Sequence, residues 1–339
     1  MISDEKPLVS AIVSLYKAEK FVRAKLDDLL AQSLGDRLEI VVVNSGSPQG
    51  EDEIVREYLN YHRNIIYIHT LERESIYAAW NRGIKAASGR FITNSNADDY
   101  LRSDALEVMA NVLQSNKDIG LVYASQVITT EPLKRFTLNY KRRNVIHAPD
   151  YEHLLLLYRC FIGSQPMWRS SIHSMDNIWF NEKYEVAGDY DFELRVAQKY
   201  KFMGIPETLG TLYKDPNRSN RETLDRELTV RETEEVLGHY TRDYFATATN
   251  KELIRAFNCF KNLMRLPLPI YYLLKKCDNA LSSPIYPRYF PYSIEYTYLM
   301  GCMLLKELGE TSRVMRYCKK FLRYRSSKEI SELFVRTGV

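Results

Sequence analysis

The chain has 339 residues, 45% hydrophobic and 27% charged, with a formal net charge of +4. Such a composition gives a globular protein with room for one large domain and a smaller one, and so mild a charge argues against a nucleic-acid binder. Five scattered cysteines (Cys160, Cys259, Cys277, Cys302 and Cys318), odd in number and without metal-ligand spacing, argue against a disulfide framework or a zinc module and fit reduced thiols.

The opening residues 1–7 are polar rather than signal-like, and no run approaches the ~20 apolar residues of a membrane span, so a cytoplasmic protein is expected. Residues 8–15 form an apolar, β-branched run that predicts a buried strand, after which Val22, Leu26, Leu29 and Leu30 recur at helical spacing. Residues 38–43 predict a second strand, of the kind found in a parallel sheet covered on both faces, and it stops at the dense turn signal Asn44-Ser45-Gly46-Ser47-Pro48. An acidic-start helix from about Glu51, a strand at 65–68 and a helix over 76–87 follow. Ser88-Gly89 then leads into a strand at Phe91-Ile92, succeeded by a helix over 104–114 and a strand at 121–123. This alternation predicts an α/β domain, doubly wound around a mostly parallel sheet with right-handed crossovers and flanked by helices.

From 129 to 149 the alternation breaks. Lys134, Arg135, Lys141, Arg142 and Arg143 interleave with Phe136 and Tyr140, which reads either as a basic lid over an anionic ligand or as a solvated loop. A strand at 163–168, a helix over 189–200 with acidic residues in its first turn, a closing strand at 206–213, a loop from Lys214 to Ser219 and a charged helix to about Tyr240 complete the pattern. Beyond 251 the signals are helical only, and the charge divides into +9 there and −5 in the rest of the chain. The boundaries drawn are therefore a domain over 1–220, a connecting helix over 221–250 and an all-helical C-terminal appendage over 251–339. The basic–aromatic mixture of that appendage suits a peripheral membrane surface, such as the inner membrane face, or a protein contact, as well as a plain solvated surface.

Chemistry concentrates just after the strand at Phe91. Asn96-Ala97-Asp98-Asp99 places two adjacent carboxylates beyond the carboxyl end of a strand, the edge at which open α/β sheets bind ligands. One reading is an Asx turn that caps the helix starting near Leu101. The other is a site for a hard divalent ion, which takes oxygen ligands, often one or two carboxylates together with substrate phosphates.

Four further segments bear on the choice. Val9-Ser10-Ala11-Ile12-Val13-Ser14-Leu15-Tyr16 opens the chain, Ile40-Val41-Val42-Val43-Asn44-Ser45-Gly46-Ser47 ends the second strand, Ile76-Tyr77-Ala78-Ala79-Trp80-Asn81-Arg82-Gly83 precedes the strand at Phe91, and Gly188-Asp189-Tyr190-Asp191-Phe192-Glu193-Leu194-Arg195 opens a later helix. Together with Asn96-Ala97-Asp98-Asp99 they resemble, in order, spacing and strand context, an inverting family 2 glycosyltransferase of the GT-A fold over about residues 8–219. The resemblance does not extend to the helical tail.

The resemblance implies transfer of a sugar from a nucleotide-diphosphate donor, a UDP-sugar by preference, to a glycan, lipid-linked or protein hydroxyl, with no nucleic acid involved. It implies Asp98 as ligand of a divalent metal, Mn²⁺ or Mg²⁺, with Asn96 and Ala97 at the donor and Asp99 orienting groups around them. It implies Asp189 as the general base, leaving Asp191 a structural carboxylate. Ser14 and Tyr16 would cradle the nucleobase. Asn44 stands where relatives have an Asp that reads the base, and an amide can still pair with uracil. Arg73 and Asn81 would contact the nucleotide or brace the helix, Lys214 and Arg218 would approach the diphosphate or be solvated, and Trp168 would stack on a sugar face or belong to the core. Relatives often carry Glu where this chain has Gly188.

Two other classes compete. A sugar-phosphate nucleotidyltransferase would want a glycine-rich basic loop after the first strand, and Ser14-Leu15-Tyr16-Lys17 has no glycine. A non-catalytic sugar- or peptide-binding scaffold would have no reason to retain Asp98, Asp99 and Asp189 together.

Overall fold

Residues 6–137, 139, 144–148, 151, 153, 156, 160–217 and 225–247 are described, from a computed structural model. The expectations placed on Tyr140, Lys141, Arg142, Arg143, Arg218 and the helical region over 251–339 lie outside these residues. The chain divides into two compact units, Met1–Tyr151 with Cys160–Val236, and Glu152–Arg159 with Leu237–Val339. The sheet belongs wholly to the first unit.

The β-branched runs form strands as the pattern requires. β1 (Val9–Leu15), β2 (Leu38–Ser45), β3 (Ile65–Thr70) and β4 (Phe91–Asn94) pair in parallel in the order β3-β2-β1-β4. Every residue of β2 is buried, the mark of a strand covered on both faces. The connections are α1 (Glu19–Leu30), α2 (Glu51–Leu59) and α3 (Ile76–Ala86), and α4 (Ala105–Ser115) follows β4. The periodic residues of α1 do what their spacing promised: Val22, Leu26 and Leu29 join Val9, Ala11, Val13, Ile40, Val42 and Met109 in one core. Ser75 caps α3, its hydroxyl accepting from the Ala78 N–H at 3.2 Å.

Beyond β4 the sheet is not simply parallel. β7 (Met167–Arg169) lies antiparallel between β4 and the long β5 (Ile119–Thr129). β5 also carries the short antiparallel β6 (Val145–Ile146) and, in parallel, β8 (Lys201–Tyr213). Both β5 and β8 run longer than the expected 121–123 and 206–213, because Pro206 sits where the β5–β8 register shifts and so interrupts the pattern without ending the strand. The excursion from β5 to β7 is pinned at its neck by Gln126, whose amide donates to Ser164 Oγ at 3.0 Å and accepts from the Ser164 N–H at 3.2 Å. A short helix α5 (Ser171–Ser174), then α6 (Gly188–Ala197) and finally α7 (Arg226–Thr247) complete the described elements. Among the described residues no helix is long and apolar enough to cross a membrane.

Behind α6 lies an aromatic cluster. Phe180 stacks on Phe192 at 4.2 Å between ring centroids, and Trp168 meets both edge-on. Trp168 donates from Nε1 to His173 Nε2 at 2.7 Å, and His173 Nδ1 lies 2.7 Å from the Ile178 carbonyl, which fixes a neutral ring with its proton on Nδ1. Burial pushes the His173 pKa down to about 4.

Candidate active site

Parallel strands put the turns that follow them on one edge of the sheet, and four such turns meet here. Glu51, fully buried at the start of α2, accepts from the Ala18 N–H at 2.6 Å and from Ser47 Oγ at 2.7 Å, while Ser47 Oγ accepts from the Lys17 N–H at 2.9 Å. These bonds join the turn after β1 to the turn after β2. The turn after β3 presses on the second: Gly46 has φ +58°, and a Cβ there would meet the Glu72 carbonyl carbon at 2.7 Å. Only glycine serves both demands. Arg73 from that turn lies over the Tyr16 ring, its guanidinium carbon 4.5 Å from the centroid, so a cation and an aromatic face stand together beside half-buried Ser14.

The fourth turn carries the carboxylates. Ser95 extends β4 by donating its N–H to the Ile12 carbonyl at 2.8 Å, and Asn96, Ala97 and Asp98 are half-buried beyond it. Asp98 and Asp99 differ sharply. Asp99 is buried and fully engaged: Oδ1 accepts from the Tyr213 N–H at 2.7 Å and Oδ2 from the Asn96 amide at 3.1 Å. Its carboxylate ties the carboxyl end of β8 to the turn and gives Asn96 a fixed side-chain direction. Asp98 is partly open, and burial together with the neighbouring Asp99 charge pushes its carboxyl up to about 7. Among the described residues no cation comes within salt-bridge distance of it. No cluster of three or more His, Cys, Asp or Glu side chains among them could hold a metal. A single half-exposed carboxylate with a second one behind it fits instead an ion that completes its oxygen shell from a bound diphosphate.

Beneath this turn lies a lysine that the motifs do not contain. Lys25 of α1 is wholly buried; its Nζ donates to the Asp99 carbonyl at 2.7 Å and to Gln165 Oε1 at 3.2 Å, and lies 3.7 Å from Asp28 Oδ2. Asp28 in turn accepts from the Leu101 N–H at 3.1 Å. Burial lowers the Lys25 pKa and raises that of Asp28, each offset in part by the charge of the other. The sequence held the signal: Lys25 falls three residues after Val22 and four before Leu29, on the apolar face of its helix.

Asp189 opens α6. Its Oδ1 accepts from the Tyr190 N–H at 2.8 Å and lies 3.4 Å from the Tyr77 hydroxyl. Tyr77 belongs to the first turn of α3, which leaves the same edge of the sheet, so Asp189 and Asp98 both lie on the side where the strands end. Asp191 is buried and takes both bonds from Arg195, at 2.6 and 2.9 Å. Glu193, one turn below Asp189, is buried with its carboxyl pushed well above the usual range by desolvation and by the Asp189 charge.

Several expected contacts fall elsewhere. Asn44 is fully buried, its amide donating to Tyr67 Oη at 3.1 Å and its carbonyl accepting from the Ser47 N–H at 3.0 Å; it props the turn, and both polar ends face protein. Asn81 donates to the Phe180 carbonyl at 2.9 Å and to Glu182 at 2.8 Å, and accepts from the Phe180 N–H at 3.0 Å, so it braces α3. Trp168, 1% exposed, is core and has no face open to a sugar. Lys214 is half-buried just past β8, its N–H donating to the Thr129 carbonyl at 2.8 Å.

Comparison with known proteins agrees with this geometry. Residues 10–169 match the family described as Glycosyl transferase family 2. An uncharacterised glycosyltransferase of Methanocaldococcus jannaschii is 29% identical over 222 residues, 64% of this chain and 73% of that one. Two solved structures share the fold. Residues 1–349 of Staphylococcus aureus TarS with UDP-GlcNAc superpose with a TM-score of 0.54 at 15% identity, over 94% of this chain and 93% of that one. The Pyrobaculum calidifontis mannosyltransferase PcManGT with GDP-Man and Mn²⁺ gives 0.54 at 20% identity, over 91% and 87%. The GT-A sheet, the motif order and the family match over residues 10–169 agree in making this chain similar to the family 2 glycosyltransferases.

Proposed function

We propose that this enzyme moves a sugar from a nucleotide-diphosphate donor, a UDP-sugar by preference, to an acceptor hydroxyl in a single inverting displacement. The observation that carries this is the placing of two carboxylates on one edge of the sheet: Asp98, half-buried in the turn after β4 with Asp99 beside it, and Asp189, held at a helix start. The neighbour structures with UDP-GlcNAc and with GDP-Man and Mn²⁺ support a nucleotide-sugar donor and a divalent ion here.

Tyr16 and Arg73 form the wall on which the nucleobase and its ribose rest, with the backbone at Ser14 closing the floor. With Asn44 turned into the protein, base selection falls to backbone groups of these turns. Asp98 would hold the metal, which supplies charge neutralisation for the departing diphosphate. Asn96, oriented by Asp99, lies beside the donor. Asp189 accepts the acceptor's proton as its oxygen attacks the anomeric carbon, and a carboxylate suits this because the proton moves only as the oxygen bonds. Lys214 lies on the strand end that Asp99 anchors and approaches the diphosphate. The acceptor is a hydroxyl of a growing glycan, a lipid-linked glycan or a protein.

The test is release of nucleoside diphosphate from a panel of UDP- and GDP-sugars with Mn²⁺, with Mg²⁺ and with excess EDTA, repeated with Asp98→Ala. Turnover should need the metal and be lost in Asp98→Ala; full turnover in EDTA would overturn the metal assignment.

A further inference from the structure

The loop that delivers Asp189 is held from two sides by residues to which the resemblance assigns no role. On one side stands Glu232 of α7, a buried carboxylate that receives three successive backbone N–H groups: Glu185 at 3.0 Å, Val186 at 2.8 Å and Ala187 at 3.0 Å. Converging N–H bonds on one charged acceptor fix a segment of backbone far more tightly than a turn fixes itself. The segment ends at Ala187, which caps α6.

On the other side stands Tyr77 of α3. Its hydroxyl donates to the Val186 carbonyl at 2.8 Å and lies 3.4 Å from Asp189 Oδ1. Its ring also explains the residue before the base: a Cβ at Gly188 would meet a Tyr77 ring carbon at 2.6 Å, so the ring occupies the space a side chain there would fill. Burial and the Asp189 charge hold the Tyr77 pKa well above its usual value, so the phenol stays a donor. Val186 is thus clamped through both its N–H and its carbonyl, by two helices distant in sequence.

Resting on the assignment of Asp189 as base, we propose that Glu232 and Tyr77 are positioning residues that hold the Asp189 carboxylate at the attack geometry. They touch neither donor nor acceptor. α7 thereby becomes a working part of the transferase rather than a connector. Among the described residues, Tyr77 on α3, Glu193 on α6 and Glu232 on α7 are ionisable groups around this segment, and of these three the phenol offers Asp189 a proton at hydrogen-bond reach.

The test uses the full chain and the best donor from the panel, comparing Glu232→Gln, Tyr77→Phe and Asp189→Asn, alone and with each positioning change added to Asp189→Asn. Displacement of a reacting group by about 1 Å costs roughly 10²-fold. Glu232→Gln and Tyr77→Phe should each lower kcat by about 10- to 100-fold and leave the donor KM within about three-fold. Tyr77→Phe should also move the acid limb of the kcat–pH profile upward, since a donor to ionised Asp189 is gone. In the Asp189→Asn background neither change should cost much more. Tyr77→Phe keeps the ring and removes one oxygen, so it reports even where Glu232→Gln disturbs folding. Normal kcat in Tyr77→Phe and Glu232→Gln, or full additivity with an impaired Asp189→Asn, overturns the positioning role alone. Near-normal turnover by Asp189→Asn overturns the base assignment and the positioning role with it.

Discussion

Replacing Lys25 by methionine removes the charge beneath the carboxylate turn while keeping most of the side-chain volume. Three groups lose the ammonium at once: the Asp28 carboxylate, 7% exposed, the Asp99 carbonyl and the Gln165 amide oxygen, the last of which keeps the Ser95 hydroxyl at 3.2 Å. Breaking a buried pair by deleting one member leaves an uncompensated charge and costs about 3–5 kcal/mol. The Leu101 N–H still serves Asp28, which places the cost at the lower end, about 3 kcal/mol. For a domain of this size that is a fall in Tm of roughly 6–12 °C. Urea and thermal unfolding of the full chain measure it. Adding Asp28→Asn removes the stranded charge and should recover at least about 1 kcal/mol of the loss. A Lys25→Met protein within about 1 kcal/mol of the wild type would refute the reasoning, and so would a double variant no more stable than the single one.

Two further outcomes are expected. Asp189→Asn keeps shape but cannot take a proton, so kcat should fall by roughly 10²–10⁴-fold with donor affinity within a few fold; an NMR assignment of the product linkage should show inversion, and retention would exclude a single displacement. His173 is neutral when folded, with a pKa of about 4 against 6.5 when unfolded, so the unfolded chain binds the extra proton between those values and stability falls as pH drops through them. The carboxyls with raised pKa, Asp98, Asp99 and Glu193, act in the opposite sense, so the contribution is read as the difference between wild type and His173→Gln in urea midpoints from pH 6.5 to 4. That difference should shrink by about 1.4 kcal/mol per pH unit, and a flat one would mean His173 is charged when folded.

Much of the parallel half of the sheet is legible in the sequence, since β1 and β2 are predominantly apolar, β-branched runs of strand length. A strand is expected at 163–168 and β7 forms at Met167–Arg169, but so short a run carries no signal of which strands it joins or in which direction. The sequence leads to Asp98 and Asp189 as candidates by residue type and motif, and the fold sets both on the edge where the parallel strands end. Residue type stays ambiguous where the same type can serve as a brace, as in Asn44 and Asn81, because an amide that reads a base and an amide that ties two loops look alike in a string of letters. Glu232 is hidden for a related reason, since a glutamate in a charged helix shows its partners only once the fold brings the loop at 185–187 beside it.

The Gln126–Ser164 bonds have a bearing on how such a chain diversifies. They close the neck of the excursion between β5 and β7 at the sheet itself, so whatever lies between the two strands is grafted on a sealed stem. Enlarging a loop on a closed stem is thermodynamically mild, about 0.6 kcal/mol for each doubling of length. Strands β1 to β4, the carboxylate turn and Asp189 can therefore stay unchanged while this insert is lengthened, shortened or exchanged. Because β5 runs parallel to β4, the insert leaves from the same sheet edge as the carboxylate turn, so exchanging it changes what stands beside that turn and leaves the turn itself.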